Sequence, residues 1–85
     1  MEILQLEKDQ DEIDSAIVLL FKRRIKVVKK IASIQKNLGI NLSDKTRELE
    51  ILSRVSEMAG SDLAGDAQAL YKQILLLSYP YLQSV

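Results

Sequence analysis

The chain has no cysteine and no histidine. Without cysteine there is no disulfide framework, no thiolate nucleophile and no cysteine zinc site. Without histidine, serine–histidine chemistry and the usual imidazole metal sites are excluded. Glycine occurs three times and never as a Gly-rich loop, so neither a P-loop nor a dinucleotide fingerprint is present. The longest apolar run, Ala16 to Phe21, is six residues, against the roughly 20 that span a bilayer. No charge sign is in excess, since 12 Lys and Arg face 12 Asp and Glu. Neither nucleic acid nor an anionic membrane is therefore expected as a partner. The opening MEILQLEKDQDE is acidic and helical in pattern, unlike a signal peptide, so the default expectation is a cytoplasmic protein.

What is present is helical periodicity. Leu6, Gln10, Ile13, Ile17, Leu20, Arg24, Val27, Ile31, Ile34 and Leu38 step alternately by four and three, with no Gly or Pro between residues 3 and 38. This is a heptad seam on one long helix, and Gly39 suits the position just past its end. NLSDKTRELE restarts a helix, with Ser43 or Asp44 as its cap and Ile51, Leu52, Val55, Met58 and Ala59 as its apolar face. Gly60 ends it, and GSDLAGD reads as a polar connection with Ser61, Asp62 or Asp66 as candidate caps. A last helix places Ala67, Leu70, Ile74, Leu77 and Tyr81 on one face, with Pro80 predicting a kink or an end near Tyr79. No segment alternates with period two. The 85 residues therefore read as a single all-α domain, residues 1–85, with one long and two shorter helices.

Helix length predicts a partner. About 36 helical residues extend about 54 Å, whereas a compact globule of this size has a radius of gyration of about 12 Å. The apolar seam runs to both ends of the rod, and a symmetric homodimer is the simplest way to cover it.

Several polar residues interrupt the apolar pattern. Arg24 lies on the seam, and a buried guanidinium must reach solvent or meet an anion. Gln35 follows eleven residues later, about three turns on, and points the same way. Asp44, Arg47 and Glu48 cluster at the start of the second helix, and Ser78 lies near the end of the third. Taken singly they are a snorkelling arginine, a capping cluster and a back-bonding serine. Taken together they suit one inter-helix pocket whose two arginines fit a small dicarboxylate. With neither His nor Cys, the chemistry expected there is positioning and electrostatics, with no cofactor and no metal.

The blocks DEIDSAIVLLFKRRIKVVKKIASIQKNLGI, SDKTRELEIL and LYKQILLLS resemble the all-helical (type II) chorismate mutase family over nearly the whole chain. The I-D…I…L…R-R spacing and the D-x-x-R-E motif carry most of that likeness; the third block is generic. The resemblance implies a three-helix chain in an intertwined homodimer, two active sites that each draw on both protomers, and the Claisen rearrangement of chorismate to prephenate. It implies that Arg24 and Arg47 hold substrate carboxylates, that Asp44 and Glu48 lie near the ring hydroxyl, and that Ser78 contacts the substrate.

Three positions depart from the family's pattern. Glu7 stands where an arginine usually reaches into the partner's site, with the cationic Lys8 next to it. Gln35 stands where a lysine meets the ether oxygen, with Lys36 one step on. Leu82 stands where a Gln or Glu is usual, with Gln83 one step on, presented if Pro80 resets the register. Reduced mutase activity is therefore expected. The alternatives are a mutase or lyase acting on isochorismate or the 4-amino analogue, and a helical dimer module that has lost its chemistry.

Overall fold

The computed structural model describes residues 2–39 and 45–83, with Gln83 by its backbone alone. The cap candidates Ser43 and Asp44 lie outside the described residues. Helix α1 runs Glu2–Leu38, α2 Lys45–Ala59 and α3 Ala64–Gln83. The 37 residues of α1 rise about 55 Å, and the molecule's longest extent is 57 Å. One rod thus sets the length of the whole chain, and the radius of gyration, 16.0 Å, exceeds that of a compact globule.

Two glycines set the breaks. Gly39 (φ 71°) and Gly60 (φ 83°) occupy the left-handed region that L-residues avoid. At each the chain closes a turn, with Gly39 N–H donating to the Lys36 carbonyl (3.1 Å) and Gly60 N–H to the Glu57 carbonyl (3.3 Å). A second turn follows, as Leu63 N–H donates to the Gly60 carbonyl at 3.2 Å. The Leu63 carbonyl then accepts from Ala67 N–H at 2.8 Å and opens α3. The connection is shorter than the polar pattern predicts, because Ala64, Gly65 and Asp66 are already helical. Ser61 and Asp62 lie in the turn, and Asp66 sits in the first turn of α3, where its charge complements the helix dipole. Helix α3 continues through Pro80 to Gln83, so the end expected near Tyr79 is not found. Proline so close to the terminus removes one donor without ending the helix.

Helix α3 packs against both other helices. Among the described residues the buried apolar ones are few: Ala32 on α1, and Ile51 and Val55 on α2. The inward face of α3 is Tyr71, Ile74, Leu75, Ser78 and Leu82, all buried or half-buried. Leu70 and Leu77, which the heptad pattern assigns inward, are 58% and 57% exposed. Met58 on α2 is likewise exposed. Apolar residues cover more than one face of these helices, so periodicity alone does not select the one that faces a neighbour.

On α1 the division is along the axis. Every residue from Glu2 to Leu20 is exposed. From Phe21 onward an inward face appears at Phe21, Arg24, Ile25, Val28, Ala32 and Gln35, following the three-and-four spacing of a packed helix. Among the described residues no helix is long and apolar enough to cross a membrane.

Candidate functional site

Between the three helices a cavity of about 280 Å³ opens to solvent. From α1 it is lined by Arg24, Val27, Val28, Ile31 and Gln35; from α2 by Arg47, Glu48, Ile51 and Arg54; from α3 by Leu75, Ser78 and Leu82. Four of the α1 residues follow the spacing 24, 28, 31, 35, which keeps them on one side of the helix. On α2, positions 47, 51 and 54 do the same, with buried Ile51 anchoring that face between two arginines.

Arg24 is held by two side chains of α3. Its Nη1 donates to Ser78 Oγ at 3.3 Å, and its guanidinium carbon stands 5.8 Å from the centre of the Tyr71 ring. That distance is at the outer edge of a cation–π contact. Ser78 is 2% exposed, and its hydroxyl donates to the Ile74 carbonyl at 2.7 Å. The only proton of the hydroxyl is thereby used within α3, and its oxygen faces Arg24 as an acceptor. Ser78 thus back-bonds within α3, as its position taken singly suggests, and also accepts from the Arg24 guanidinium.

Gln35 carries the opposite signature. Its Oε1 is buried without a hydrogen-bond partner. An unpaired buried amide is costly, and a half-turn of the side chain would bring the Nε2 donor to the same place. The amide is therefore available to pair with a ligand. Arg47 forms an ion pair with Glu50, one turn along α2, at 3.5 Å, with both side chains largely exposed. Among the described residues lining the cavity, Glu48, half-buried, is the one carboxylate. With three guanidiniums against it, the lining is cationic and suits an anion.

Arg24, Gln35, Arg47, Glu48 and Ser78 all line this cavity. The fold does not bring Glu7 or Lys8 to them. Both are exposed, and seventeen helical residues separate Glu7 from Arg24, about 25 Å along the axis. Asp44 lies outside the described residues, as does the side chain of Gln83. Leu82 itself lines the cavity, and the unbroken helix through Pro80 supplies no register change at that point. Lys36 is exposed and is not among the lining residues, whereas Gln35 is. Two residues escaped the sequence reading. Arg54 was legible from its seven-residue spacing after Arg47 and its place three after Ile51. Tyr71 was legible as the position two turns, seven residues, before Ser78. Among the described residues no cluster of acidic side chains could hold a metal ion.

A family model described as chorismate mutase type II matches residues 6–81. A chorismate mutase of Methanocaldococcus jannaschii is 34% identical over 56 residues, 66% of this chain and 57% of that protein. The chain therefore spans less than two thirds of that relative's length. No solved structure matches it.

Proposed function

The chain belongs to the type II chorismate mutase family, and from that premise we propose that it converts chorismate to prephenate in the cavity between its three helices. The observation that carries this reading is Arg24, held between Ser78 and Tyr71 on the wall of a cationic, partly apolar cavity. The rearrangement is pericyclic. It asks for a compact conformer and for stabilisation of charge on the breaking ether oxygen, with no nucleophile and no cofactor. A chain without Cys or His can supply both.

In this reading Arg24 grips one substrate carboxylate in a two-point contact. Its own hydrogen bond to Ser78 holds the guanidinium before the substrate arrives, so less order is lost on binding. Gln35 turns its amide to donate Nε2–H to the ether oxygen. A neutral donor stabilises developing negative charge less than an ammonium does, and loss of one transition-state donor typically costs about 10²–10³ in rate. Reduced turnover follows. Glu48 accepts from the ring hydroxyl, and Arg47 adds positive potential at the opening. Val28, Ile31, Ile51, Leu75 and Leu82 enclose the apolar faces of the ring and strengthen each electrostatic contact by excluding water.

The homodimer is part of the same proposal. The exposed half of α1 carries Leu6 (63% exposed), Ile13 (59%), Ile17 (58%) and Leu20 (60%) on one stripe. A second copy laid along it would cover the stripe. It would also carry Glu7 and Lys8, remote from their own cavity, towards the partner's.

Conversion of chorismate to prephenate by the purified chain tests the reading, with isochorismate and the 4-amino analogue assayed alongside. Arg24→Ala is expected to lower kcat/KM by about 10²-fold or more. Turnover no faster than the spontaneous rearrangement would sink the proposal, as would an Arg24→Ala variant equal to the parent.

A further inference from the structure

The structure assigns a third guanidinium to the site: Arg54 takes the ligand's outer carboxylate at the mouth of the cavity. This inference rests on the reading of the cavity as a dicarboxylate site and says which arginines serve it.

Three observations converge. Arg54 lines the cavity on the same face of α2 as Arg47 and buried Ile51. The two arginines are seven residues apart, about 10 Å along the helix, so they address different ends of a small ligand. Their charges are also differently committed. Arg47 is paired with Glu50 at 3.5 Å. Arg54 lies four residues after that same Glu50 and three before Glu57, with both acids beside it on the shallow groove of the outer face. Either spacing permits a helix-surface ion pair. Yet among the described residues no acidic group stands within 4 Å of Arg54. Among the described residues lining the cavity, Arg24 is the other guanidinium without an acidic partner, and it is held by a neutral hydroxyl. A dianion entering the cavity thus meets two uncommitted guanidiniums, one deep on α1 and one at the rim on α2.

A contact at the rim grips the ligand equally in its ground and transition states. It therefore acts on KM and leaves the chemical step alone. It is also solvent-facing, so salt weakens it.

The test compares the parent with Arg54→Gln, Arg54→Lys and Lys30→Gln, an exposed control away from the cavity. Each is measured by steady-state kinetics on chorismate at low and high salt. Each is also measured by the rise in Tm with a bicyclic oxa-dicarboxylate mimic of the transition state. Arg54→Gln is expected to raise KM about tenfold with kcat within about twofold, to flatten the salt dependence of kcat/KM, and to lose most of the ligand-induced Tm rise. Arg54→Lys is expected to recover part of each, and Lys30→Gln to match the parent. Without ligand, Arg54→Gln is expected to melt with the parent, because an exposed side chain with no ion pair contributes little to stability. A parent-like Arg54→Gln in both KM and Tm rise overturns the assignment while leaving the mutase reading intact. A parent that neither turns over chorismate nor responds to the mimic overturns both. If the mimic binds without turnover, the Tm arm alone decides for or against Arg54.

Discussion

Association along α1 can be tested by a single truncation, Ile17→Ala. Ile17 lies midway along the stripe of Leu6, Ile13 and Leu20 and keeps 58% of its surface exposed in the single chain. Full burial of such a side chain is worth about 1.5–3 kcal/mol. Somewhat more than half of that remains to be gained, and alanine retains only the first carbon. The loss is therefore about 1–1.5 kcal/mol per copy, and a two-fold dimer contains the residue twice, so about 2–3 kcal/mol disappears from association. The dissociation constant should rise about 30- to 150-fold. Sedimentation velocity over a dilution series measures it, with Ser15→Ala, on the opposite face of α1, as the control. Far-UV circular dichroism over the same series adds an independent readout. Residues 2–20 have no tertiary cover in the single chain, and an isolated helix of that length is marginal in water. Helicity should therefore fall as the dimer dissociates. A parent that sediments as a monomer throughout, or an Ile17→Ala variant that associates like the parent, refutes the reasoning.

Three further outcomes are expected. Gln35→Lys should raise kcat by about tenfold or more, because an ammonium replaces a neutral donor at the ether oxygen; Gln35→Glu should lower it, with activity returning as pH falls through the carboxyl range, about 4–5, where the acid can donate. Ser78→Ala should cost about 0.5–1.5 kcal/mol in urea unfolding at fixed protein concentration, because the long hydrogen bond from Arg24 and the back-bond to the Ile74 carbonyl are both lost; kcat/KM should fall in the same variant, and unchanged kinetics would show that Arg24 is held by other contacts. Gly39→Ala should destabilise by about 1 kcal/mol, since φ is 71° and no heavy atom lies within 4 Å of the added methyl; the whole cost is backbone conformation, readable as a shift in the urea midpoint.

Much of the site was legible from residue types and spacings. Arg24 and Gln35 share a face because eleven residues are close to three turns, whatever the rest of the chain does. The arginine and glutamate of the second helix are adjacent to its start for the same local reason. What spacing could not supply was the partner of each group. Ser78 reads from its place in the helix as a back-bonding serine, and its proton does go to Ile74, but its acceptance from Arg24 on another helix is visible only in the fold. Arg54 reads as a solvated surface charge until the fold sets its face of α2 on the wall of a cavity that α1 and α3 also line. Pro80 predicted a break that the helix does not take, because its penalty falls where few turns remain to be lost.

The sequence by itself determined the helices, their ends at Gly39 and Gly60, and a rod too long for so short a chain. These depend on backbone preference and on periodicity, which act over a few residues. Only the tertiary structure decided the rotation of each helix about its axis: Tyr71, Ser78 and Leu82 inward in place of Leu70 and Leu77, and Arg24 against a serine fifty-four residues away. Leucines on several faces make many rotations nearly equal in apolar burial. The choice among them falls to the contacts between helices, chiefly where polar groups must be paired.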